Sequence, residues 1–260
     1  MLTCDYPLFV CMTLTVIAVI LIGISKAGFG GGVGIVTTPL LSLIFPAKFA
    51  VGFLLPIIII ADWFIIYHYR KEWNPANLKI LLPGALFGII LGTVFIDYIS
   101  DVQLKRIIGI VALLFLIIQL IRFRYGGKKK YIPLWWHGIV VGSLAGFISS
   151  IAHSAGVIIA MFLLPQNLPK RVYVATMVFF FTGVNVLKVI PYISIHLINS
   201  ETLKAGAIFV VFVPVGVLIG TWLNKKISQN VFTKIVYALV FVIAVQLLIG
   251  RNLFSLLFKL

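Results

Sequence analysis

The chain has 260 residues, of which 62% are hydrophobic and only 10% charged, with a formal net charge of +15 and a mean hydropathy of +1.18. A water-soluble domain needs roughly a quarter charged residues, so lipid is the expected solvent and a soluble enzyme is excluded. The excess of Lys and Arg is scattered singly between apolar runs rather than spread over one face, which excludes a nucleic-acid binder and fits basic loops held in the cytoplasm.

Eight stretches are long and apolar enough to serve as spans, for which about 20 residues are needed: 8–24, 50–69, 78–99, 104–123, 134–152, 172–193, 203–223 and 231–249. Asp5 and the lack of basic residues ahead of the first stretch argue against a cleaved signal. Cys4 and Cys11 lie too close together to staple much.

After the first span comes Ser25-Lys26-Ala27-Gly28-Phe29-Gly30-Gly31-Gly32-Val33-Gly34, followed by Thr37-Thr38-Pro39. Glycines at this density cannot hold a straight helix, since each costs ~1 kcal/mol against alanine. Irregular backbone inside a membrane survives only where protein or a water-filled cavity surrounds it. A new helix starting there presents free N–H groups to an anion. Lys26, the Gly30, Gly31 and Gly32 backbone and the Thr37 hydroxyl are therefore candidate binding groups. The competing reading is close helix packing by the glycines and a Lys26 that snorkels to the interface. No Gly-Lys-Ser/Thr closes the run and no strand precedes it, so it is neither a Walker loop nor a dinucleotide turn.

The next span carries Asp62, an acidic residue deep in apolar sequence and hence a candidate for ion coupling or for pairing with Lys26 or Lys188. Beyond the spans at 78–99 and 104–123 lies the basic linker 126–133, which divides the chain into a unit 1–125 and a unit 134–260. The second unit breaks at Ser149-Ser150-Ile151-Ala152-His153-Ser154-Ala155-Gly156. Ser149, Ser150, His153, Ser154 and the Gly156 backbone could donate to substrate oxygens, and His153 could titrate; bonding between helices is the alternative. Further on, Asn185 falls at the position equivalent to Asp62. Lys188, three residues beyond it on the same helix face, is a second candidate for ion coupling.

The two units repeat weakly at an offset of 122–123 residues, with Pro46–Val51 meeting Pro169–Val174 and the two breaks in register. If each broken opening unit returns to the side where it began, or crosses twice, the Lys and Arg divide 13 to 6. A single crossing would divide them 11 to 8. The positive-inside rule favours the first case. The expected fold is thus all-α and polytopic: two inverted-topology repeats with broken or re-entrant helices at the midplane, basic loops cytoplasmic and both termini outside. The number of crossings stays open between six plus two hairpins and ten.

Spaced small residues give the chain a family likeness. Gly28-Phe29-Gly30-Gly31-Gly32, Pro39-Leu40-Leu41, Ala50-Val51, Gly84-Ala85, Gly88 and Gly92 in the first unit, with Gly142, Gly146-Phe147, Val174-Ala175-Thr176, Gly216, Gly220 and Thr221 in the second, resemble the TauE/SafE sulfite exporter family of membrane permeases. The resemblance runs from about Leu8 to Ile249 and implies export of sulfite or related organosulfur anions. The second break departs from the pattern, with His153 and Ser154 in place of glycines and Met161 in place of a proline.

The function expected is secondary-type transport of a small anion such as sulfite, thiosulfate or an organosulfonate. The expected partners are that anion and the bilayer, with a second copy of the chain as an admissible partner and no cofactor or metal. An anion channel is the runner-up, although the polar residues gather at two breaks rather than along a path. An intramembrane enzyme would need a nucleophile–base pair or ligand set that the spans do not offer.

Overall fold

The computed structural model describes residues 4, 6–28, 34–69, 72–125, 132–226 and 229–249. The glycine run Gly30–Gly32 lies outside them. Among the described residues the only regular secondary structure is helix. Each of the eight apolar stretches falls in helix: α1 (Leu8–Gly28), α3 (Ala47–Tyr69), α4 (Pro75–Tyr98), α5 (Asp101–Tyr125), α6 (Trp135–Ala152), α8 (Lys170–Ser194), the pair α9 (Ser200–Phe209) and α10 (Phe212–Lys226), and α11 (Gln229–Ile249). The short helices α2 (Gly34–Ile44) and α7 (Gly156–Leu163) follow the two breaks. Among the described residues five helices are long and apolar enough to cross a membrane, or six with α9 and α10 taken as one bent span.

That bend is the main departure from the sequence reading, which takes 203–223 as one span. The axes of α9 and α10 differ by 48°. Pro214 supplies the cause: it lacks the N–H that would bond the Val210 carbonyl, and its ring crowds that carbonyl. The starts of α4 and α9 are each fixed by an asparagine. The Asn74 side chain accepts from Asn77 N–H, with Pro75 at the first helical position, as N-terminal capping requires. Asn199 accepts from Glu201 and Thr202 N–H, while Thr202 Oγ1 accepts from Asn199 N–H, a reciprocal cap.

Two helix crossings hold the bundle together, and glycine makes both possible. On one side α4 lies against α6 through Gly84 and Gly88 of α4 and Gly142 and Gly146 of α6. On the other α1 lies against α10 through Gly23, Gly216 and Gly220. A Cβ on Gly88 would strike the Ser143 carbonyl, and one on Gly216 the Ile20 carbonyl. Where lipid competes as well as any apolar side chain, such close backbone packing is what drives helices together. Of these, Gly84, Gly88, Gly142, Gly146, Gly216 and Gly220 also carry the family likeness. Near the chain start, Cys4 and Cys11 are joined in a disulfide.

Candidate functional site

The polar interior is built where the ends of α1 and α6 meet the middles of α3 and α8. The geometry begins with the second break. Helix α6 stops at Ala152 because His153 adopts a left-handed backbone (φ 50°, ψ 28°), its N–H closing on the Ser149 carbonyl. Ser154 Oγ then donates to the Ala152 carbonyl at 2.6 Å, satisfying one of the acceptors a helix end leaves open. A left-handed histidine costs of order 1–3 kcal/mol unless its surroundings enforce it. Here the ring does so: Nε2 lies 3.0 Å from the Val51 carbonyl of α3 and Nδ1 lies 2.8 Å from Lys188 Nζ of α8.

Those two contacts fix the tautomer. A carbonyl can only accept, so Nε2 carries the hydrogen, and the bare Nδ1 of the neutral ring accepts from the lysine. Lys188 Nζ also donates to Ser149 Oγ at 3.1 Å and to the Ser149 carbonyl at 3.3 Å. The Tyr192 ring lies 5.9 Å from the same nitrogen, and the Tyr192 hydroxyl donates to the Ser150 carbonyl at 2.6 Å. Lys188 is fully buried, yet every one of these partners is neutral. Among the described residues the ion pairs are Lys26–Asp62 and Arg171–Glu72, and neither involves Lys188.

On the facing side Lys26, at the end of α1, makes an ion pair with Asp62 of α3, and its ammonium stands 5.8 Å from the centre of the Phe181 ring. The other Asp62 oxygen accepts from Asn185 Nδ2 of α8 at 2.7 Å. That bond joins positions 123 residues apart, the spacing of the sequence repeat. Lys26 and Ser149 are separated by the same interval. One lysine is thus neutralised in place while the other is not.

Between the two clusters runs a cleft of about 430 Å³, counted out to its open mouth, lined by Ile22, Ser25, Lys26, Ile58, Ser149, His153, Phe181 and Asn185. The structure therefore brings together Lys26, Asp62, Ser149, His153, Asn185 and Lys188. It turns Ser150 Oγ back onto the Gly146 carbonyl and holds Thr37 buried in α2. Gly156 opens α7, which no side chain caps, and a Cβ there would meet nothing within 4 Å. Ser25, Phe181 and Tyr192 join the site without having been singled out in the sequence. Phe181 sits four residues before Asn185, a helical spacing that could have flagged it. Tyr192 is four residues beyond Lys188 and carried the same signal, whereas Ser25 merely adjoins Lys26 in the chain and carried none. No group of three metal-ligating side chains occurs among the described residues.

Comparison with known proteins fits this arrangement into a family. Sulfite exporter TauE/SafE matches residues 15–247. A probable membrane transporter protein of Methanocaldococcus jannaschii is 24% identical over 253 residues, covering 87% of this chain and 91% of that protein. No solved structure matches. With the match spanning nearly all of its helices, the chain belongs to the TauE/SafE sulfite exporter family of membrane transporters.

Proposed function

We propose that the chain is a secondary carrier for a small oxyanion of the sulfite, thiosulfate or organosulfonate class. The observation that carries this reading is Lys188: a buried amine beside a cleft, bonded to Ser149 and His153 and, among the described residues, without a carboxylate within ion-pair distance. An uncompensated charge in a low-dielectric interior is costly, and a bound anion relieves that cost. Ser149 and Asn185 offer polar groups to the cleft from facing helices, Lys26 adds positive charge on the same wall, and α7 starts at Gly156 with no side chain capping it. The Gly30–Gly32 backbone is the counterpart proposed for the first unit. The family's name and that of the archaeal relative support transport of this kind.

The two units are proposed to be inverted and to rock against each other around this site. In support, the first helix of each unit packs on the fourth segment of the other, α1 on α10 and α6 on α4. Basic loops are assigned to the cytoplasm and both termini to the outside, where the Cys4–Cys11 disulfide would meet an oxidising compartment.

The test is a panel of sulfite, thiosulfate, methanesulfonate, sulfate and acetate, scored by the melting temperature of the purified protein, since only anions that bind the folded state raise it. Sulfur oxyanions are expected to raise it, and Lys188→Met to remove the effect. No shift with any anion, or equal shifts in the variant, would overturn the assignment. Saturable counterflow in proteoliposomes separates a carrier from a channel.

A further inference from the structure

The hydrogen bond between Lys188 and His153 can hold only one proton, and that restriction has a consequence for transport. His153 Nδ1 is 2.8 Å from Lys188 Nζ, while Nε2 is committed to the Val51 carbonyl. With one shared proton the bond stands, whichever nitrogen carries the charge. With both nitrogens charged, two donors face each other at 2.8 Å with no acceptor between them, and the contact must open.

We infer that His153 and Lys188 form the proton-coupling site of the carrier, so that the anion and one proton bind together. This rests on the anion reading above and adds the co-transported ion and its seat. In the empty state Lys188 is tied to Ser149 and His153. A proton from the side to which the cleft opens is taken up at His153 Nδ1, the lysine ammonium is released from the ring, and the anion enters as counter-ion to both. On the opposite face the anion leaves, the imidazolium returns its proton to solvent, and the Lys188–His153 bond re-forms. The proton taken up on one face leaves on the other, the one shared by Lys188 and His153 stays, and a monoanion moves with no net charge.

The surroundings of the ring are consistent with this assignment. From α8 it faces Lys188 and Tyr192, whose ring centre is 6.4 Å away. From α1 Lys26 lies across the cleft, and from α3 Asp62 is held by Lys26 and Asn185. Helices α2 and α7 carry no charged side chain, and the charged residues of α4 and α5 do not line the cleft. The one carboxylate in the cluster is already paired, which leaves the Lys–His contact as the place where a proton changes the bonding.

The experiment uses wild-type protein with thiosulfate and with methanesulfonate, whose charges do not change across roughly pH 6 to 8, where an imidazole titrates. Calorimetry in two buffers of different ionisation heat counts protons taken up per anion bound. Uptake approaching one proton, with affinity rising up to about tenfold per unit fall in pH, is the expected result. His153→Gln, which keeps an acceptor and a donor but cannot titrate, is expected to flatten the pH slope. Anion binding with no proton uptake would overturn the coupling while leaving the anion site intact. A full slope in His153→Gln would place the proton elsewhere and overturn it as well. Failure of every anion to bind the wild type would overturn the anion reading, and the coupling with it. The proton count needs no variant, so a misfolded His153→Gln would still leave the coupling open to disproof.

Discussion

The two lysines inside the bundle present opposite solutions to the same problem. Lys26, on the α1–α3 side, is neutralised by Asp62, and Asn185 holds the second carboxylate oxygen. Lys188, on the α6–α8 side, is more fully enclosed but bonds only Ser149 and the His153 ring. A paired buried charge is a fixed part of the structure, because removing either partner exposes the other. A buried charge held by neutral groups can change partners. The first cluster is therefore assigned to the framework, and the second is where the proposed anion would act.

The largest effect should come from breaking the framework pair. Asp62→Asn leaves Lys26 without a counter-charge and is expected to destabilise the protein by about 3–5 kcal/mol, seen as a fall in melting temperature. The double variant Lys26→Met, Asp62→Asn should recover much of that loss. Where Asp62→Asn still folds, its unpaired Lys26 should also strengthen anion binding; weaker binding would contradict the division of roles. Next, Lys188→Met is expected to weaken binding of thiosulfate by about 10- to 100-fold in a titration, the worth of a charge-assisted hydrogen bond. Its effect on melting should be far smaller than that of Asp62→Asn.

Ser149→Ala removes one neutral partner of Lys188 and should cost about 1 kcal/mol of affinity, roughly fivefold. The smallest effect belongs to Gly156→Ala. Open space surrounds that position and alanine is the better helix former by about 1 kcal/mol, so stability should hold or rise slightly. A loss of anion affinity without loss of stability would show that this space is occupied during binding.

The helices were legible in the sequence because an apolar run long enough to cross a bilayer has few other structures open to it. The second break was legible too, since small and hydroxyl-bearing residues interrupt a helix for local reasons. Local pattern did not announce the bend between Phe209 and Phe212, because proline is accommodated within α3, α4 and α8 and only tertiary packing distinguishes the one that breaks a span. Asp62, Asn185, Lys26 and Lys188 stood out individually as polar groups in apolar surroundings.

Their pairing is a different matter. The sequence left Asp62 free to pair with either lysine, since Lys26 and Lys188 are both within reach of a helix whose position is unknown. Only the packing of α3 between α1 and α8 gives the carboxylate to Lys26 and leaves Lys188 to Ser149 and His153. By itself the sequence determined the solvent, the helices and the inventory of buried polar groups, because these follow from local composition and burial cost. The tertiary structure decided which charge is cancelled and which remains available, because a charge pair is set by distances across helices that no local pattern encodes.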